Sequence, residues 1–271
     1  MTLCDLPTAT GRRPLWRRWL LGLALLLALG SSRAGPEVST LMAPPLRLVA
    51  NHWEPYTGQG LPYGGVAGRV VQAALLRAGY RSEITVMPWA RALTTAAQGQ
   101  ADGIVAIWST EERRVALLFS EAYLHNELSL FHRAGLRSVP QSLAELRGYS
   151  VGVGRGYDYS DEFLRDQRVQ KEPAVAVLPN LLKLARGRVD LVLEDRRIVA
   201  YQLSQHGRDY PELQQLQAAP EPLMRLPLHF AISRQRADAA EIIERFNRAL
   251  EAMRRDGSLE QMLAVPQLAA R

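Results

Sequence analysis

The chain has 271 residues, with 33 basic and 27 acidic side chains and a formal net charge of +6. Setting aside residues 1–34 takes five Arg and one Asp from those totals, leaving 28 against 26 and a net charge of +2. The basicity therefore belongs to the N-terminus, and no basic stripe interleaved with stacking aromatics remains to bind nucleic acid. Cys4 is the single cysteine, so the chain beyond residue 34 has no disulfide, thiol nucleophile or cysteine metal ligand.

At the N-terminus, Arg12, Arg13, Arg17 and Arg18 precede the apolar run Leu20 to Leu29, and Ser32-Arg33-Ala34 supplies small residues at the two positions a signal peptidase inspects. This pattern predicts a secretory signal peptide over 1–34, cleaved near Ala34. Its ten apolar residues fall short of the roughly 20 that a spanning helix needs. Cys4 lies ahead of the apolar run and no cysteine follows it, so no lipid anchor is expected. A freely diffusing product of this kind implies the periplasm of a Gram-negative bacterium.

Beyond the leader, strand-like runs at 46–50, 83–87, 103–107, 150–153, 174–178 and 191–193 alternate with helical patterns at 68–78, 90–98, 181–186, 198–205 and 237–254. Such alternation predicts an α/β fold with mainly parallel sheets. Ser109-Thr110-Glu111-Glu112-Arg113 reads as a strand running into a capped helix, with Ser109 and Glu112 spaced as a capping box. Amides at a helix N-terminus and the Arg113 guanidinium, which forks onto carboxylates, suit the same anion. An ordinary capped helix with a solvated Arg explains the pentapeptide equally well. Gly152-Val153-Gly154-Arg155-Gly156 follows a strand and precedes a helix expected near Asp158. Its G-x-G-x-G spacing departs from the dinucleotide fingerprint. The five histidines show no metal-ligand pairing, and no G-x-S-x-G elbow is present. No metal, cofactor or catalytic residue is therefore expected.

Taken together, Met87-Pro88-Trp89-Ala90-Arg91-Ala92-Leu93, Gly99-Gln100-Ala101-Asp102-Gly103, Thr110-Glu111-Glu112-Arg113, Phe119-Ser120-Glu121-Ala122-Tyr123, Leu146 to Val153, Gly187 to Asp195 and Phe246-Asn247-Arg248-Ala249-Leu250 resemble the family 3 extracellular solute-binding proteins. These are typified by periplasmic receptors for polar amino acids. The resemblance runs from about Leu46 to Leu263 and implies a two-lobed type II binding fold, each lobe a mainly parallel sheet flanked by helices. Lobe 1 would comprise 35–128 and 228–271, and lobe 2 would comprise 129–227. Crossings near Leu128 to His132 and Leu226 to Ile232 would form a hinge around a cleft.

The same resemblance implies ligand contacts from Trp53 and Trp89 by stacking, from Arg113 to a carboxylate and from Asp195 to an amine. Trp108 and Tyr157 stand where amino-acid receptors commonly carry hydroxyl residues, so they change pocket volume and polarity. Tyr56 extends the aromatic lining, which suits a cationic or planar ligand. Glu194 is free to face cleft or solvent, because neighbouring strand residues point opposite ways. Core packing also accounts for each tryptophan singly, and an N-cap role accounts for Asp195.

The expected function is capture of a small polar or zwitterionic solute, an amino acid or a relative, by a monomeric receptor that delivers it to an ABC importer permease. Two alternatives use the same fold. One is a receptor that signals through a membrane sensor, and the other a dehydratase-like enzyme in which Glu194 transfers a proton.

Overall fold

The computed structural model describes residues 44–136 and 138–264; the leader-like segment, its cleavage site and Cys4 lie outside them. Strand β1 (Leu46–Ala50) forms from an apolar run and lies parallel to β2 (Ser82–Val86) on one side and β3 (Gly103–Trp108) on the other. The crossovers carry helices α1 (Val66–Arg77) and α2 (Trp89–Ala97). All six residues of β3 are buried, as expected of a strand covered on both faces. Gly103 is required at its start, because a Cβ there would meet the Ala231 carbonyl oxygen at 2.4 Å.

A short helix, α3 (Glu111–Ala116), and β4 (Leu117–Phe119) lead into β5 (Leu124–Arg133). The next unit holds β6 (Ser150–Gly154), α4 (Asp161–Arg165), β7 (Gln170–Ala174), α5 (Val177–Ala185), β8 (Leu191–Asp195), α6 (Arg196–His206) and β9 (Leu216–Ala218). Strand β6 pairs in parallel with β7 and β8. The chain then returns through β10 (Met224–Ser233) to α7 (Ala239–Arg255) and α8 (Ser258–Leu263).

The sheet runs β2-β1-β3-β10-β5-β8-β6-β7. Its two parallel ends are joined through the ten-residue strands β5 and β10, which pair antiparallel from Met224↔Leu128 to Leu228↔Leu124. The fold is thus the mixed α/β type II arrangement expected, with antiparallel pairing confined to the middle. Helix α7 turns Ile242, Phe246, Leu250 and Met253 inward at helical spacing, and Phe246 meets Phe230 of β10 at 4.7 Å between ring centres. Each such side chain contributes about 1.5–3 kcal/mol by burial.

The apolar run at 174–178 is not a strand. It spans the end of β7, a loop in which Val175 is exposed, and the first turn of α5, whose N-cap is Ala176. The actual strand, Gln170 to Ala174, is polar and contains Pro173 because it is the sheet edge, where a residue without an N–H is tolerated.

Candidate functional site

The site is assembled from the C-terminal ends of strands in both halves of the sheet. After β1 the chain folds back on itself: Trp53 N–H donates to Thr57 O at 2.8 Å and Thr57 Oγ1 to Asn51 O at 2.8 Å. This tight loop presents Trp53 and Tyr56. Trp89 opens α2, Trp108 ends β3, and Arg113 stands in α3.

The cap of α3 differs from the sequence reading. Thr110 is the N-cap, with its Oγ1 accepting from Arg113 N at 3.2 Å, whereas the buried Ser109 Oγ has no partner among the described residues. Two consecutive hydroxyl residues made the position ambiguous by one.

Asp195 closes β8 and caps α6. Its Oδ1 accepts from the Arg197 amide at 2.8 Å and the Ile198 amide at 3.2 Å, as an N-cap carboxylate does. The Tyr56 hydroxyl donates to the same carboxylate at 3.0 Å, the Asn126 side chain at 3.0 Å and the Glu127 amide at 3.2 Å. Asn126 Oδ1 in turn accepts from Trp108 Nε1 at 2.8 Å. Trp108, Asn126, Asp195 and Tyr56 therefore form one buried chain of hydrogen bonds linking β3, β5, β8 and the loop after β1. Burial pushes the Asp195 carboxyl up, against the hydrogen bonds that favour its charged form, and lifts the Tyr56 phenol far above its ordinary range.

Arg113 is engaged by protein groups on three sides. Its Nη1 donates to Trp108 O at 2.8 Å, its Nη2 pairs with the Asp158 carboxylate, and its guanidinium lies 5.0 Å from the centre of the Trp89 ring. The Arg113 side chain is 6% exposed and that of Asp158 35%. Asp158 belongs to the loop after β6, where helix α4 begins at Asp161 under a Ser160 cap rather than near Asp158. That leaves its carboxylate free to reach across to Arg113. Nearby, Gly156 takes φ +73°, a left-handed conformation natural to glycine, and its carbonyl accepts from Trp89 Nε1 at 3.2 Å.

Between the two halves lies a cavity of about 540 Å³, lined on one side by Trp53, Glu54 and Trp89 and on the other by Tyr157, Asn180 and Glu194. A smaller one of about 30 Å³ adjoins Arg113 and Asp158. Trp53 and Trp108 meet Tyr157 edge to face, at 6.2 and 5.5 Å between centres, a favourable aromatic geometry. Glu194 is 2% exposed and its Oε1 accepts from the Asp195 amide at 2.9 Å. Burial raises its carboxyl to about 8, with repulsion from Asp195 adding to the effect and that hydrogen bond opposing it. Trp53 Nε1 and Asn180 Oδ1, both buried, have no partner among the described residues. Polar groups in that state carry a desolvation cost.

Of the residues singled out in the sequence, Trp53, Trp89, Tyr157 and Glu194 line the large cavity, and Trp108 and Arg113 the small one. Tyr56 and Asp195 are absorbed in the buried network beside them. Arg113 and Asp195 each have their own protein partner, Asp158 for the one and Tyr56 for the other.

The sequence does not single out Asn126, Asp158 or Asn180 as site residues. Asn126 had a legible signal, since it occupies the same buried phase of β5 as Leu124 and Leu128, where a polar residue needs a partner. Asn180 likewise sits on the apolar face of α5 beside Leu181 and Leu184. Among the described residues no cluster of His, Cys, Asp and Glu is positioned to hold a metal ion, and no helix is long and apolar enough to cross a membrane.

The model of the bacterial extracellular solute-binding proteins, family 3, matches residues 48–264. A histidine kinase sensor domain similar to periplasmic binding proteins superposes with a TM-score of 0.70 at 20% identity, covering 83% of this chain and 96% of that one. An ancestral arginine-binding protein bound to arginine gives 0.66 at 23% identity, with 82% and 97% covered. The GluR0 ligand-binding core in complex with L-glutamate gives 0.65 at 18% identity, with 82% and 100% covered. At these identities the superpositions establish the shared fold.

Proposed function

Because the chain belongs to family 3 of the bacterial extracellular solute-binding proteins, we propose that it is a periplasmic receptor that captures one small polar, nitrogen-bearing solute, an amino acid or a relative of one. In this reading residues 1–34 are an export signal removed near Ala34, and the mature receptor is a monomer. Residues 35–128 with 228–271 form one lobe and 129–227 the other. The lobes close on the solute by bending at β5 and β10, and an ABC importer permease accepts the closed form.

The observation that carries the reading is the 540 Å³ cavity between the sheet halves, lined by the aromatic residues Trp53, Trp89 and Tyr157 together with the buried acid Glu194 and the buried Asn180. That is the usual composition of a small-molecule site, mostly apolar with a few fixed polar groups. The test is tryptophan fluorescence and thermal melting of the exported protein, refolded to strip any solute, against amino acids, amines, betaines and organic acids. Saturable 1:1 binding that raises the melting temperature is expected, and Trp53→Ala should weaken it at least tenfold. A panel that leaves both signals unchanged would count against the proposal.

A sensing role is the second reading, favoured by the sensor-domain neighbour at TM-score 0.70. Deletion of the gene should then change transcription in response to the solute without changing its uptake. Loss of uptake with no change in transcription supports import.

A further inference from the structure

We propose that Asp158 is a built-in occupant of the carboxylate seat on Arg113, and that the solute fitting the large cavity is therefore a cationic amine without a carboxylate. The inference rests on the solute-binding reading above and narrows it to a ligand class.

A guanidinium recognises a carboxylate through paired N–H donors on one edge of its plane. In this chain Arg113 already points one nitrogen at the Trp108 carbonyl and another at Asp158, and lays its face over Trp89. The space left beside it is about 30 Å³. That is room for a water or two, each needing on the order of 10–15 Å³ by the same kind of measure, and too little for an amino-acid head group. A solute carboxylate must therefore displace Asp158. The exchange swaps one carboxylate for another with no gain in charge, against a competitor tethered in the same chain at high effective concentration. It also leaves Asp158 without its cation.

The large cavity has the opposite character. Glu194 lies buried in its wall and Glu54 stands at its side with 25% of its side chain exposed. Asn180 Oδ1, on a residue only 2% exposed, has no donor among the described residues. The Trp53, Trp89 and Tyr157 rings supply π surfaces, which attract cations. Its basic groups are at the rim: Arg155 is exposed, and His52, with 55% of its side chain exposed, already pairs with Glu54 at 3.3 Å. Solvent screens charges so placed. An ammonium or guanidinium inside would lie beside Glu194, and its positive charge would favour the carboxylate, releasing to solvent the proton that burial otherwise retains up to about pH 8.

Matched pairs that differ only in the carboxylate provide the test: lysine with cadaverine, arginine with agmatine, and phenylalanine with phenethylamine. Affinities are read by tryptophan fluorescence on the wild type, Asp158→Ala, the near-isosteric Asp158→Asn and Glu194→Gln, each checked for folding by its melting curve. At least one amine should bind the wild type tenfold or more tightly than its parent amino acid. Both Asp158 variants should improve amino-acid binding tenfold or more and so narrow or reverse the preference for the amine, and Glu194→Gln should weaken the amine at least tenfold. A wild type that binds the amino acid as well as the amine, or Asp158 variants that leave amino-acid binding unchanged, would overturn the proposal while leaving solute capture intact. If no member of any pair binds, the amine class is likewise refuted, and the wider panel above decides solute capture separately.

Discussion

Glu194→Gln offers the clearest physical perturbation, because the wild-type side chain is held in a state that ordinary water would not allow. It is 2% exposed, with Asp195 beside it and the Tyr157 and Tyr159 rings nearby. Its carboxyl is raised from the ordinary 4.5 to about 8, chiefly by burial. Between those values the folded chain keeps a proton that the unfolded chain releases, so stability falls as pH rises through the window and levels off above about 8. Each pH unit of such a difference is worth about 1.4 kcal/mol, so the span from 4.5 to about 8 amounts to roughly 5 kcal/mol. Glutamine has nearly the shape of the protonated acid and does not titrate. The variant should therefore match the wild type near pH 4.5 and exceed it progressively up to pH 9, by as much as about 5 kcal/mol. Urea denaturation of both proteins at pH 5, 6, 7, 8 and 9 reads this, since the other titrating groups are common to the two and, apart from Asp195, whose charge couples to that of Glu194, cancel in their difference. Parallel pH profiles for the two proteins would refute the assignment of a buried, protonated Glu194.

Other substitutions probe the frame around the cavity. Asp195→Ala removes the acceptor of two α6 amides, the Tyr56 hydroxyl and the Asn126 amide together; a loss of about 3–5 kcal/mol in denaturant unfolding is expected for a buried group with several dependants. Thr110→Ala should cost about 1 kcal/mol as a lost N-cap, while Ser109→Ala, which removes a buried hydroxyl without a partner among the described residues, should cost nothing or stabilise. Melting both variants side by side decides which residue caps α3. Asp102→Ala takes away the carboxylate that accepts from Arg47 N at 2.7 Å and Arg236 Nη1 at 2.9 Å, for an expected loss of about 3 kcal/mol at pH 7. Burial pushes that carboxyl up, but these hydrogen bonds prevail and hold it below its ordinary value. Its contribution is therefore present above the ordinary carboxylate pKa and lost as pH falls through the lower folded value, so the difference between variant and wild type should shrink in acid.

The fold was legible because its strands announce themselves. The runs at 46–50, 103–107 and 191–193 are apolar and β-branched and form buried strands of the sheet, where composition and role coincide. The edge strand β7 was missed for the complementary reason: an edge needs no apolar face, and the apolar letters beside it belong to a loop and a helix. At the site, residue type located the aromatic and charged groups but not their pairing. The pairing of Arg113 with Asp158 depends on where α4 starts, three residues later than its sequence indicated. Whether Glu194 or Asp195 faces the cavity depends on the twist and register of β8 against β5, in which Ser129 opposes Glu194 and Leu128 opposes Asp195. One residue of register exchanges the two carboxylates, and sequence alone does not fix it.

The central claim is that the space between the sheet halves exists to hold one small solute. Native mass spectrometry of the protein, purified gently after export in its own cells, tests this without choosing a ligand in advance. The expected result is an added mass corresponding to one small molecule per chain, released on unfolding and able to raise the melting temperature when returned to the refolded protein. A mass equal to that of the processed chain alone, together with no stabilisation by small-molecule extracts of the same cells, would contradict it.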